Sequence, residues 1–257
     1  MEENTTLNEQ KYVEELVKLF RSRLTDEELL DRLQDYHEND IAGALELLTS
    51  DERKALYPVL GPEIISEVFA YIEDVEKYAR EMDIRQIASV IEEMDSDDAV
   101  DVLEEMDEST AEQVSRLLDE ETKSDIQLIK SYDEDEVGSI MTTNFILIRK
   151  EMTVKQAMRA LVSQAEDNDN ISTIYVCDED DRFYGALDLK DLIVARKDTE
   201  LEPLMSTSYP YLMDHEKISD CIERIKDYAE DSIPVLGEDH KILGIITAQD
   251  VVEVVDD

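Results

Sequence analysis

The sequence predicts a multi-domain chain: an all-α superhelical N-terminal domain followed by a duplicated α/β (α+β) module. Three observations carry that reading. Before residue 132 a register of 12 residues recurs: Met82-Asp83, Met94-Asp95, Met106-Asp107 and Leu118-Asp119. From Asn144 onward the order strand, helix, strand, strand, helix is written twice. Between them lies Tyr132-Asp-Glu-Asp-Glu-Val-Gly-Ser-Ile-Met-Thr142, a joint that ends in the first of two matching signatures, Ile140-Met141-Thr142 and Leu204-Met205-Ser206.

Each step of the register opens a unit of one short helix and a turn. Ile84, Ile87, Ala88 and Ile91 fall at i, i+3, i+4 and i+7, and Ala99, Val100 and Leu103 recur on a similar stripe. Helices this short are marginal alone and must stack on neighbours to bury the stripe, which argues an α-solenoid or superhelix. Upstream, Thr25-Asp-Glu-Glu28, Ser50-Asp-Glu-Arg53 and Gly61-Pro-Glu63 read as further helix starts, with capping residues and acids in the first turn.

In the second half, Phe145–Ile148, Thr173–Cys177 and Phe183–Leu187 are strand-like, with a helical pattern over Thr153–Ala165. The same order returns as Tyr209–Leu212, Lys217–Ala229, Ser232–Leu236, Lys241–Ile246 and Ala248–Val255. Asp178–Arg182 and Gly237–Lys241 are the matching hairpin turns. One repeat has a small core, so the two should pack sheet against sheet.

The chain has 257 residues, and its 67 acids against 25 bases leave a formal charge of −42. Such a chain repels nucleic acid and anionic membrane surfaces. It reads either as a highly soluble or salt-adapted protein or as a set of carboxylates awaiting divalent cations, since oxygen ligands suit Mg2+ and Ca2+. Cys177 and Cys221 match neither a redox nor a zinc spacing and read as small buried hydrophobes of a reducing cytoplasm. The N-terminus has no secretion-signal pattern, and no apolar run approaches the roughly 18 residues of a membrane span. His37, His215 and His240 are scattered, and there is no Walker loop or nucleophile elbow, so no enzyme activity is expected.

Each repeat ends in a Gly-bearing strand followed by an acid-bearing helix start, Gly185-Ala-Leu-Asp-Leu-Lys-Asp191 and Gly244-Ile-Ile-Thr-Ala-Gln-Asp250. Together with the Met-Thr and Met-Ser signatures this resembles a CBS-domain pair, a ligand-sensing module. The resemblance implies an adenine nucleotide such as ATP, with phosphate received at a Thr hydroxyl and helix start and ribose held by an Asp. Thr247 and Asp250 match that pattern. In the first repeat Asp188 stands where Ser or Thr is expected and repels phosphate, while Asp191 remains for ribose and Lys190 offsets the charge. Asp191 and Asp250 also have a plainer role, as acids favouring helix starts.

With the joint in front of it, the pair is similar to the cytosolic region of MgtE-type magnesium transporters or channels. The resemblance covers the whole chain and is most specific over 132–142. It implies an N domain over 1–131, a first CBS domain over 132–198 and a second over 199–257. It also implies Mg2+ shared between Asp97 and Asp101 on one side and Asp250 and Glu253 on the other, with Glu67 as a further acid. Where the family places an acid before the last CBS strand, this chain has Ala229. Without the resemblance, Asp97 and Asp101 would read as a solvated acidic face beside a capping Asp95. The family's further implications are a homodimer through the CBS pair, a C-terminal transmembrane pore domain beyond Asp257, and a place on the cytoplasmic face of the membrane. The apolar helix faces Leu192–Val194 and Val251, Val252, Val254 and Val255 suit such a dimer. Two rivals remain: a nucleotide sensor that regulates another protein, and an acidic helical interaction scaffold.

Overall fold

The structure is a computed structural model that describes residues 2–72, 74–166, 168–197, 199–221 and 230–256, with side chains from 10 to 252 within those ranges. The chain forms two compact units, one of residues 1–94 and 98–123, the other of 95–97 and 124–257.

The first unit is helical throughout. Its elements are α1 (Glu2–Phe20), α2 (Asp26–Leu33), α3 (Glu38–Glu46), α4 (Ser50–Phe69), α5 (Val75–Ala79), α6 (Ile84–Ile91) and α8 (Glu108–Ser115), with most of α7 (Ser96–Glu105) and the start of α9 (Glu120–Ile129). The 12-residue register has a physical basis in both of its positions. Met82, Met106 and Leu118 are buried in the core. Asp83 and Asp107 follow as N-caps, Asp83 in a reciprocal capping box with Gln86. Skipping one helix each time, α4 packs on α6 and α6 on α8, as stacked repeats require. The α2 start is where it was expected, with Thr25 and Glu28 capping each other. The α4 start is one residue earlier than expected: Thr49, not Ser50, is the cap and pairs with Glu52. The expected start at Gly61-Pro62 falls inside α4: Gly61, at φ 79° in the left-handed region, breaks the helical backbone and a second helical segment begins after it.

An internal ion pair ties α3, α4 and α5 together. Arg53, 4% exposed, donates to Glu81 through Nε at 2.9 Å and Nη2 at 2.5 Å, and through Nη1 to the carbonyls of Leu48 at 2.6 Å and Leu45 at 3.2 Å. Tyr57 Oη donates to Glu81 at 2.7 Å, and the Arg53 guanidinium lies 4.9 Å from the Tyr78 ring centre. Burial raises the Glu81 carboxyl, but the bonds from Arg53, Tyr57 and Ser50 outweigh it and hold the group down at about 2.

The second unit contains two three-stranded sheets. The first is β1 (Ile146–Arg149), β2 (Thr173–Cys177) and β3 (Phe183–Asp188), with α10 (Val154–Gln164) and α11 (Leu189–Val194); the second is β4 (Leu212–Met213), β5 (Ser232–Leu236) and β6 (Ile242–Thr247), with α12 (Ala248–Asp256). In each sheet the outer pair is parallel, the hairpin pair antiparallel, and a register shift falls at the same place, Val176/Cys177 and Val235/Leu236. The duplication therefore extends to an irregularity. Asp181 and His240 complete the hairpins at φ 62° and 60°. Strand β4 has two residues where four were expected; Pro210 lacks the N–H that a longer ladder would need. The expected helix over 217–229 lies mostly outside the described residues. Leu192 is in the core with Ile148, Leu161 and Ile174, so it is not part of an exposed face; Ile193, Val194 and Val252 are exposed. Cys177 and Cys221 are buried, as their setting implies.

Candidate functional site

The joint owes its spelling to packing. A Cβ on Gly138 would meet the Tyr132 ring at 2.6 Å, so only glycine lets the tyrosine lie against the backbone there. Tyr132 Oη donates to Asp214 Oδ2 at 3.2 Å. The backbone then zips onto the turn after β4: Val137 N–H to Glu216 O at 2.9 Å, Gly138 N–H to Asp214 O at 2.8 Å, and Ile218 N–H to Asp135 O at 3.0 Å. Lys217 Nζ reaches Asp135 at 2.6 Å. Burial, and after it the charge of Asp214, pushes the Tyr132 phenol up to about 12.

Beyond the joint, the two Met-Thr/Met-Ser signatures cross over. Thr142 exchanges backbone bonds of 2.9 and 2.8 Å with Ile245 of β6, and Ser206 exchanges bonds of 2.8 and 3.1 Å with Ala186 of β3. Each repeat thus contributes a bridge to the other's sheet. A Cβ on Gly185 would lie 2.6 Å from Ser206 O, and one on Gly244 would lie 2.7 Å from Thr142 O. These two glycines, which open the matching motifs at the ends of the repeats, admit the crossing backbone. Where the sheets meet, Tyr175 is fully buried; its hydroxyl lies 2.6 Å from Ser232 Oγ and its ring centre 6.1 Å from that of Tyr209.

The two strand-to-helix turns differ in what their side chains do. In the second repeat Thr247 N–H donates to Asp250 Oδ2 at 2.6 Å and Asp250 N–H to Thr247 Oγ1 at 3.4 Å, a reciprocal cap on α12. In the first repeat Asp188 is the N-cap of α11 without a side-chain cap bond, and Lys190 and Asp191 are exposed.

Among the expected metal ligands, Asp97 and Asp101 both lie on α7, the first half-buried and the second exposed. Asp95, just before them, accepts from Asn144 Nδ2 at 2.8 Å, and the Ser96 hydroxyl lies 3.0 Å from that of Thr143. Burial pushes the Asp95 carboxyl up against the pull of its bonds from Asn144 and Thr142. Glu67 is exposed on the part of α4 beyond the Gly61 kink. The side chain of Glu253, and all of Ala229, lie outside the described residues. Among the described residues no three or more His, Cys, Asp or Glu side chains converge as a metal site. No described helix is long and apolar enough to cross a membrane.

Sequence reasoning passed over His215. Its Nδ1 lies 3.2 Å from Glu136 Oε2, its Nε2 3.9 Å from Asp214 Oδ2, and its ring centre 5.2 Å from that of Tyr132. Only the fold brings these groups together, since Glu136 and Asp214 are far apart in the chain.

Residues 36–135 match the MgtE intracellular N domain, and 137–198 and 200–257 each match a CBS domain. The magnesium transporter MgtE of Enterococcus faecalis is 39% identical over 214 residues, covering 82% of this chain and 47% of that protein. The chain thus spans about half the length of that relative. A solved structure of the soluble part of a magnesium transporter is similar at a TM-score of 0.88 and 28% identity, over 97% of this chain and 98% of that one. Another, the cytosolic domain of the Mg2+ channel MgtE in complex with ATP, is similar at 0.79 and 28% identity, over 88% and 93%. This chain belongs to the MgtE family, in which it corresponds to the intracellular N domain and the CBS pair.

Proposed function

We propose that this chain is the Mg2+-sensing cytosolic region of a magnesium transporter or channel, attached in the whole protein to a membrane pore. The observation that carries the reading is the likeness, along 97% of the chain, to the soluble part of a magnesium transporter. The domains run over 1–131, 132–198 and 199–257. Carboxylates of Asp97 and Asp101, with Glu67, meet those of Asp250 and Glu253 around Mg2+; a set of oxygen donors suits that ion. Without Mg2+ the acidic surfaces of a −42 chain repel one another. Bound Mg2+ lowers the free energy of the closed arrangement only, and that differential affinity favours a closed pore. A homodimer through the CBS pair covers the exposed Ile193, Val194 and Val252.

A nucleotide reading has its own support, the ATP complex of a similar structure. Asp191 and Asp250 hold ribose, with Lys190 and Thr247 beside the phosphates. Because Asp250 already caps α12 through Thr247, the exposed Asp191 is the freer of the two to take a ligand.

Small-angle scattering and thermal melts in millimolar Mg2+, against ionic-strength-matched NaCl with EDTA, test the sensing mechanism. One Mg2+ site at a hundredfold excess over Kd adds about 2.7 kcal/mol of stability. The Asp97→Ala/Asp101→Ala double variant should blunt both the compaction and the rise in Tm. Equal radius and Tm in the two buffers would sink Mg2+ sensing, and calorimetry with ATP on wild type and Asp191→Ala would then decide for or against the nucleotide sensor.

A further inference from the structure

We propose that His215 is a proton-responsive latch on the joint, pinning residues 132–138 to the turn after β4 of the second CBS domain when its imidazole is charged. The proposal concerns neither metal nor nucleotide and stands apart from the Mg2+ reading.

The geometry is that of one ring between two carboxylates. Nδ1 lies 3.2 Å from Glu136 Oε2, on the joint, and Nε2 lies 3.9 Å from Asp214 Oδ2, on the turn. Both carboxylates are also structural. Glu136 accepts from Asp133 N–H at 3.0 Å, and Asp214 accepts from Tyr132 Oη at 3.2 Å and from the backbone N–H of His215 at 2.9 Å. The Tyr132 ring, 5.2 Å away between centres, forms the wall behind the imidazole. The other charges facing the cluster are Asp133 and Asp135 on the joint, Lys217 on the turn and Glu238 in the β5–β6 hairpin. Lys217 is engaged by Asp135 at 2.6 Å and lies 3.9 Å from Glu136, so the carboxylates still outnumber the cations.

Protonation decides whether the ring holds both sides. The imidazolium carries an N–H on both nitrogens, donates to Glu136 from Nδ1 and attracts Asp214 through its charge. A neutral ring has one N–H, so its other nitrogen turns a lone pair toward a carboxylate. The hydrogen bond His215 donates to Glu136 and then the charge of Asp214 raise the His215 pKa above its ordinary 6.5. A group whose folded pKa is raised stabilises fully below its unfolded value. The grip is therefore complete below about 6.5 and is lost as pH climbs through the raised value. What it releases is the segment whose Val137 and Gly138 N–H groups zip onto Glu216 O and Asp214 O and which runs on into the Thr142 crossing.

The test uses the full chain in metal-free buffer at fixed ionic strength. NMR follows the His215 ring in wild type and Glu136→Gln, and amide exchange at Val137 and Gly138, corrected for intrinsic rates, is compared in wild type and His215→Gln at about pH 6 and about pH 8. The ring midpoint should fall in Glu136→Gln. Protection of the two amides should drop about two- to fivefold across that pH range in wild type, the size of an exposed ion pair, and stay level in His215→Gln. A midpoint unmoved by Glu136→Gln, or the same pH response in His215→Gln as in wild type, overturns the latch.

Discussion

Arg53 in the helical unit and the glycine pair Gly185 and Gly244 in the CBS pair bind their surroundings in opposite ways. Arg53 joins α3, α4 and α5 through a long side chain that reaches two carbonyls, a carboxylate and an aromatic ring. Gly185 and Gly244 act by having no side chain, so that the backbone of one repeat bonds to that of the other. Stacked short helices touch only through side chains, since their backbone groups are already bonded within each helix. A β-strand has backbone groups to spare and exposes them to any chain that comes close. The helical unit should therefore be most sensitive to removal of atoms and the CBS pair to their addition.

The largest expected effect is at Glu81. Truncation to Ala leaves the buried Arg53 guanidinium without its counter-ion and Tyr57 without its acceptor, which should cost about 3–5 kcal/mol. Chemical denaturation followed by circular dichroism would measure it, and a loss under about 1 kcal/mol would mean that Arg53 is not what ties the helices. The same pair sets an acid limit. Glu81 is held at about 2, so its stabilisation is whole above the ordinary carboxylate value and fades as pH falls toward 2. Wild type and Glu81→Gln should accordingly converge in stability as the buffer is acidified.

The addition side of the comparison gives a smaller effect. Gly185→Ala and Gly244→Ala each place a methyl within 2.7 Å of a backbone oxygen that cannot swing aside, which should cost about 1–3 kcal/mol. Gly237→Ala is the control, because the nearest atom its Cβ would meet is Leu243 Cδ1 at 3.1 Å, the end of a flexible side chain. Thermal melts of the three variants should rank Gly237→Ala as the mildest. Equal losses at all three would show that close approach of the crossing strand is not what these glycines are for.

How legible each feature is in the sequence follows from how local its physics is. The 12-residue register is readable because both of its parts, a buried Met or Leu and a capping Asp, act within one turn. The duplication is readable because strands and helix starts repeat their own patterns. Arg53 with Glu81 is not readable, since a charged pair 28 residues apart looks like any other pair of charges in so acidic a chain. His215 escapes for the same reason. Of the candidate site, Thr247 and Asp250 were legible as a helix start and are joined as one. Asp97 and Asp101 stand on one helix, as their spacing requires. What Gly185 and Gly244 are for was not legible, because the backbone that crosses them belongs to the other repeat. Leu192 was misread as surface because the apolar run 192–194 does not show which of its members turns inward.

The smallest effect sharpens the comparison inside the CBS pair itself. The two repeats share strand order, register shift and crossing backbone, yet their helix starts differ. Thr247 and Asp250 cap each other on α12, whereas Asp188 at the head of α11 makes no side-chain cap bond. Thr247→Ala removes one acceptor from the first turn of α12 and should cost about 1 kcal/mol. Asp188→Ala removes no such bond and should stay within about 0.5 kcal/mol of wild type. Because the chain has two units, one global transition is not assured, and the measurement should follow the CBS transition through the buried Tyr175. Should Asp188→Ala cost as much as Thr247→Ala, Asp188 would have a structural duty that α11 does not display. Should it cost nothing, its carboxylate is available for a ligand beside the exposed Lys190 and Asp191, and the first repeat, despite its departure from the Thr pattern, becomes the better place to look for one.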